Sequence, residues 1–473
     1  MDKIFGELSS LLYGNGGPII LVQIENEYGS YGADMAYKLQ VRDMIREHVG
    51  SNAILFTTDG PQPSTFMKGS VPGALTTIDF GYRVNVSELF HVLREHVPQG
   101  PLMNSEYYTG WLTHWGERLQ VVSATHVVET LGTILDNKGH VNFYMFFGGS
   151  NFEYTSGANY GGTYQPDITS YDYDSPLTEA GDVTPKYFAI RDKLKQFNLV
   201  DETLGVPGPS SKGAYGKITL AAKVGLLTEE GRRALGKKYN DVTGATLPTF
   251  EDLRQRGGLV LYETTVDLGD GLLRISKPRD MIFVFVDGVF QGRVSRMQKI
   301  YSLPIVTKSN SVLSLLVENQ GRINYGDHLH DYKGILSPVV YGSKILDWKW
   351  SVTGYPLEVF NTSAVESADN IPKSPTIYET QFTLPAGQTP LDTFLDTTGW
   401  GKGFIWINGH NLGRYWPTVG PQVTLYVPGV WLNPAPQPNH LQILEIDKPS
   451  QNLTVEFIDY PILDRKGSLR FWR

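Results

Sequence analysis

The patterning of the chain changes once, near residue 210, and no single fold class accommodates both sides of that change. Before it, apolar runs alternate with helix-period segments. Residues 19–24 form an apolar run after Gly16-Gly17-Pro18, as expected for a strand buried on both faces, and residues 35–49 repeat with a helical period. Further strands are expected over 53–56, 75–80, 101–106 and 141–147, and further helices over 87–96, 123–135 and 184–197. Repeated βα units of this kind predict a parallel sheet. After residue 210 the helix period fades. Short alternating runs punctuated by Gly, Pro and Asn take over, which predicts β-sandwich material. An internal repeat lies in this part. Phe283-Val284-Phe285-Val286-Asp287-Gly288 and Phe404-Ile405-Trp406-Ile407-Asn408-Gly409 stand 121 residues apart, and each ends in a hairpin turn dipeptide. Two similar β units are therefore expected, joined near 350–375, where Thr353, Gly354, Pro356, Ser363, Ser367 and Pro372 cluster. With 473 residues and about 150 per domain, the expected division is 1–205, 206–355 and 356–473.

Composition narrows the function. Hydrophobic residues at 41% and charged residues at 19% fit a globular protein. The apolar runs are far shorter than the roughly 20 residues of a membrane-spanning helix. A net charge of −8 argues against a nucleic-acid partner, which requires a basic face. With no Cys there is no disulfide, thiolate site or Cys nucleophile. The first fourteen residues carry scattered charges in place of an uninterrupted apolar segment, so they do not read as a secretory signal.

Several predicted strands end in polar groups, where a (β/α)8 barrel places its chemistry. Two carboxylates stand out. Glu27 follows Asn26 at the end of the first strand, and Glu106 lies within Asn104-Ser105-Glu106-Tyr107-Tyr108-Thr109-Gly110-Trp111. Carboxylates on separate strand ends, ringed by aromatics, suit glycosidic cleavage: one donates a proton to the leaving oxygen, the other attacks the sugar carbon or activates water. The competing reading makes both ordinary strand-end residues in salt bridges or loop hydrogen bonds. Asp59 and Asp79 also end strands, and a loop-bracing role is favoured for them. His114 reads as a packed or hydrogen-bonded residue. No paired spacing of the ten His suggests a metal site.

Longer strings sharpen this. Residues 24–32 (Ile-Glu-Asn-Glu-Tyr-Gly-Ser-Tyr-Gly), 104–111, 144–152 (Tyr-Met-Phe-Phe-Gly-Gly-Ser-Asn-Phe), 169–174 (Thr-Ser-Tyr-Asp-Tyr-Asp) and 409–417 (Gly-His-Asn-Leu-Gly-Arg-Tyr-Trp-Pro) resemble, in order, glycoside hydrolase family 35, the β-galactosidases, and most of all its animal lysosomal branch. The resemblance runs from about residue 11 to 458. It implies a multidomain α/β plus all-β chain: an incomplete (β/α)8 TIM barrel holding strands 4–8, followed by two β-sandwich domains of jelly-roll, galactose-binding-like type. Relatives carry a longer N-terminal part that supplies strands 1–3 and a carboxylate that holds sugar hydroxyls. The resemblance further implies that Glu27 is the general acid/base and Glu106 the nucleophile of a retaining exo-β-galactosidase, their carboxyl groups about 5–5.5 Å apart. Asn26 would bond the sugar 2-hydroxyl. Tyr144 would lie near the nucleophile and Tyr173 near the sugar hydroxyls, with Tyr171 as substitute. Trp111 would stack on galactose. Glu27 is expected to carry a raised pKa, giving an acidic optimum. No cofactor and no metal are implied. The expected partner is a glycan with terminal β-galactose, and a homodimer is an expected assembly. The resemblance places the protein in the lysosome or outside the cell, with Asn85, Asn361 and Asn452 as glycan acceptors. For the β domains, bracing of the barrel is favoured over sugar binding by Trp406 and Trp416. The alternative to an enzyme is an inactive fragment that binds sugar or serves a structural purpose.

Overall fold

The computed structural model describes residues 1–358, 360–363, 365, 371 and 373–465. Ser367 and Pro372 of the expected join lie outside the described residues. The N-terminal part holds five parallel strands in the order β1 (Leu21–Asn26), β2 (Ile54–Asp59), β3 (Leu75–Phe80), β4 (Met103–Tyr108) and β5 (His140–Tyr144). Each strand pairs with the one before it, so the sheet winds in one direction and its crossover helices collect on one face. Those helices follow α1 (Asp2–Leu8): α2 (Met35–Val49), α3 (Pro63–Gly69), α4 (Val86–His96), α5 (Ala124–Asp136) and α6 (Pro185–Gln196).

Local chemistry explains the helix starts. Asp34 caps α2 by accepting the Tyr37 N–H at 3.2 Å, and Asn85 caps α4 by accepting the Glu88 N–H at 3.3 Å. Thr184 caps α6, whose first residue is Pro185. Packing fixes the rest. In α4 the positions Val86, Phe90 and Leu93 share one face, and all three are buried against Ile78, Tyr107 and Leu131. Burying each such side chain is worth about 1.5–3 kcal/mol. The expected double burial of residues 19–24 does not hold. Of residues 19–24 only Ile24 is buried; Ile20 is exposed, and β1 lies at the sheet edge.

The remainder is built of β-strands, with a short α-helix over Glu229–Leu235. One layer runs Lys349–Tyr355, Leu259–Val266, Ser311–Glu318, Met281–Val286, Val289–Ser295, facing a four-stranded layer that includes Asp270–Ile275 and Val339–Tyr341. The strand Met281–Val286 is buried at every position. Its even residues enter the core of this sandwich, and its odd residues meet Ile377, Phe404 and Trp406 of the next. A continuous apolar run is what a strand covered on both faces requires. The second sandwich draws its strands from 216–225 as well as from 376–458: Gly216–Thr219 pairs with Thr454–Ile458, and Ala221–Gly225 with Thr376–Phe382. A division at 355/356 therefore cuts through a sheet, because the chain starts this sandwich before it builds the other.

The internal repeat is structural. Both copies are hairpins with a left-handed pair at the turn, Asp287-Gly288 and Asn408-Gly409. Both are bulged at equivalent points, between Val284 and Phe285 and between Ile405 and Trp406.

Buried ions lock the regions together. Tyr164 of the N-terminal part donates to Asp280 at 3.1 Å, within a cluster of Asp280, Asp331, Arg296 and Lys333. Glu318 of the first sandwich binds Lys402 at 2.7 Å and Arg414 at 2.8 Å, both from the second.

Candidate active site

The C-terminal ends of β1 to β4 converge. Three strand-borne hydroxyls, Thr58, Thr77 and Ser105, bond one another across β2, β3 and β4. Above this layer the strands depart from regular pairing. The β3–β4 register shifts between Ile78 and Asp79, so that Asp79 faces Glu106, and the β4–β5 register shifts between Asn104 and Tyr107. A bulge re-aims the side chains beyond it. Here the freed backbone groups are satisfied by the fully buried Asn104, which donates to the Phe80 carbonyl at 2.9 Å and accepts the Glu106 N–H at 3.1 Å. Asn104 therefore fixes the backbone that carries Glu106.

Glu27 is held differently. It sits in the left-handed region at φ +49°, its N–H bonded to the Thr58 carbonyl at 2.8 Å. Such backbone costs about 1 kcal/mol for a residue with a Cβ, and it gathers where function over-determines it. The turn beyond is pinned by Asp59, which accepts the Gly29 N–H at 2.8 Å. This is the bracing role expected of Asp59. Gly69 of α3 lies so close that a Cβ there would sit 1.9 Å from the Asp59 carboxylate.

Four acids thus share one partly closed space, and burial governs their titration. Burial raises Glu27 above the usual carboxylate range. Burial, then the charge of Glu27, push Glu106 up to about 7. Asp59 is pushed up to about 7 and Asp79 to about 8, burial leading in each. The Tyr108 hydroxyl donates a long bond, 3.4 Å, to Glu106 Oε2, which favours ionised Glu106. The Glu27 side chain has no hydrogen bond among the described residues, so nothing comparable opposes its protonation.

Aromatic rings line the Glu106 side. Tyr108 meets Trp111 at 5.1 Å between ring centroids, Trp111 meets Tyr173 at 6.2 Å, and Tyr173 meets Tyr144 at 5.6 Å. The Tyr144 and Tyr171 hydroxyls are bonded at 3.2 Å. Gly110 makes this possible: a Cβ there would lie 1.6 Å from the Tyr173 carbonyl. Trp111 remains 45% exposed, its face open. On the other side, Asn26 and Glu27 line a cleft of about 500 Å³ whose far wall is the segment 324–329 of the first sandwich. Asn26 is exposed, its side-chain oxygen accepting from Gln23 at 2.9 Å.

Profiles of known families match in register with this architecture. The profile of glycosyl hydrolases family 35 covers residues 1–197, that of the β-galactosidase first all-β domain 248–358, and that of the β-galactosidase galactose-binding domain 375–439. The chain is 41% identical to a β-galactosidase of Bos taurus over 98% of its own length and 74% of the relative's. It is 40% identical to the Homo sapiens β-galactosidase, over 98% and 72%. A β-galactosidase-1-like protein of Mus musculus is 39% identical, over 96% and 70%. The chain belongs to glycosyl hydrolases family 35.

For this family 35 chain the structure draws together Glu27, Glu106, Tyr144, Tyr173 and Trp111, with Asn26 at the cleft mouth. His114 is packed and bonded to Glu117 at 2.8 Å and Asn159 at 2.9 Å. Tyr108 is a functional residue the sequence does not single out, although it stands two residues from Glu106 and so on the same strand face. Asp79 was expected to brace a loop. Its Oδ2 has no hydrogen-bond partner, and the residue instead faces Glu106. No signal marked the 324–329 segment, since nothing local ties it to a site 300 residues earlier. Trp406 and Trp416, 1% and 0% exposed, offer no face to a sugar.

Proposed function

We propose that this chain is a retaining exo-β-galactosidase that removes terminal β-galactose by double displacement. The observation that carries the reading is the convergence of Glu27 and Glu106, from different strand ends, in one space where burial raises both and the charge of Glu27 raises Glu106 further. Two such carboxyls hold a single proton near neutrality. The mechanism needs the charge on Glu106 and the proton on Glu27; the Tyr108 bond favours that distribution, against the burial and the Glu27 charge that raise Glu106. Glu106 attacks the anomeric carbon while Glu27 gives its proton to the departing oxygen, forming a glycosyl–enzyme ester. Glu27 then takes a proton from water, whose oxygen displaces Glu106. Asn26 bonds the 2-hydroxyl, Tyr144 and Tyr173 hold the ring near Glu106, and Trp111 stacks on its apolar face.

The single direction of winding of the five-stranded sheet supports reading it as strands 4–8 of a (β/α)8 barrel, and the two β units as jelly-roll sandwiches. The burial of Trp406 and Trp416 supports a bracing task for the sandwiches. Lysosomal or secreted residence is part of the proposal, and Asn85, Asn361 and Asn452 are exposed as glycan acceptors must be.

The test is turnover of a chromogenic β-galactoside followed by trapping with a 2-deoxy-2-fluoro-galactoside. Label on the Glu106 peptide and a loss of about 10³-fold or more in kcat/KM for Glu106→Gln are expected. Folded protein without turnover would sink the proposal. Replacing Glu27 by Gln should remove the alkaline limb of the pH profile, and a limb that survives the change counts against the acid role.

A further inference from the structure

The cleft beside Glu27 has walls that the chemistry above does not use. On one side stand Ser30, Tyr31 and Asp34, in the turn that follows Glu27. On the other stand Asn324 and Tyr325, contributed by the first sandwich. The two sides are tied together: the Tyr325 hydroxyl donates to Ser30 at 3.1 Å, and Tyr31 bonds the His330 ring at 3.2 Å. Yet both tyrosine rings keep about half their surface in solvent, 48% for Tyr31 and 50% for Tyr325. Their hydroxyls are engaged while about half of each residue stays exposed, and Tyr31 is further steadied by the rings of Tyr28 and His330 at 6.2 and 6.4 Å between centroids.

The position of Glu27 sets which part of a substrate reaches this cleft. A proton donor must touch the oxygen that leaves, so the group attached to that oxygen extends to the donor's side, while the bond-forming sugar carbon faces the nucleophile. The cleft is lined by Glu27 and not by Glu106 or its aromatic wall. We propose that it is the leaving-group subsite, and that Tyr31 and Tyr325 form a platform for an uncharged pyranose ring. This rests on the galactosidase reading. The lining holds no Lys or Arg, and Glu25 and Asp34 place carboxylates on its wall, so an anionic leaving group is disfavoured.

The test compares a galactosyl-glucose disaccharide with β-galactosyl fluoride, whose one-atom leaving group reaches neither tyrosine. For Tyr31→Ala and Tyr325→Ala the ratio of kcat/KM, disaccharide over fluoride, should fall roughly fivefold for each ring lost. Tyr31→Phe and Tyr325→Phe keep the platform and should restore most of the ratio. Because it is a ratio, a general loss of folded enzyme cancels. A galactosyl-glucuronate should be the poorer substrate beside galactosyl-glucose. An unmoved ratio in both Ala variants, or equal rates on the charged and uncharged disaccharides, overturns the proposal while the galactosidase reading stands. Wild-type protein that releases no fluoride overturns both.

Discussion

Tyr108 shows how a residue outside the reaction can bias the charge of one that takes part. Its hydroxyl is the one side-chain donor to Glu106 among the described residues. Removing it destabilises ionised Glu106, whose pKa then rises further. Activity requires ionised Glu106, so the limb on which kcat/KM grows with rising pH should move to higher pH in Tyr108→Phe, by about half to one unit. A profile that keeps its position while kcat/KM falls would show that Tyr108 acts by packing alone. The two glutamates could be read from the sequence because strand-end carboxylates beside aromatics form a local pattern. Asn104 could not: its task is to satisfy the backbone of a bulge, and the bulge arises from how three strands pair, which no single string encodes.

Among the elements, α3 leaves no signature in the sequence. Its seven residues offer too little periodicity, and Pro63 at the start reads as a turn. The helix nonetheless positions the site, since Gly69 closes against Asp59, which in turn holds the turn beyond Glu27. Gly69→Ala should cost about 1–3 kcal/mol of stability and lower kcat more than KM, as thermal melts and steady-state rates would show. A variant with wild-type rates would mean that the turn does not depend on this contact. The longer helices and the five strands were legible to within a few residues because apolar runs alternate with segments of helical period. The hairpin repeat was legible because its turns need left-handed residues, which Asp-Gly and Asn-Gly supply.

For the whole molecule, the balance of buried acids sets a pH dependence of stability. Asp59, Asp79, Glu106, Asp167, Glu179 and Glu445 are each pushed up to about 7 or 8, with burial the largest cause. Between the ordinary carboxylate range near 4 and these values, the folded chain binds more protons than the unfolded one. These acids make stability fall as pH rises across that window, while Lys402, lowered to about 7 by burial, contributes in the opposite sense from about 7 up to the ordinary lysine range. The melting temperature should be higher at pH 5 than at pH 7.5, and Asp79→Asn, which cannot ionise, should flatten the slope. A melting temperature that climbs with pH over this range would contradict the assignment. The order of the sandwich strands was not legible from the sequence. Strands 216–225 cross to the far sandwich, and only the pairing partners reveal it.

The tie between Tyr31 and His330 spans 299 residues, and that between Tyr325 and Ser30 spans 295. Contacts of such long range form late when a chain folds, because large loops must close first. The strand ends that carry Glu27 and Glu106 lie within one local sheet. Refolding followed by enzyme assay should therefore return in two stages, with turnover of the fluoride ahead of turnover of the disaccharide. The capacity to react would then be older, in the life of each molecule, than the capacity to choose.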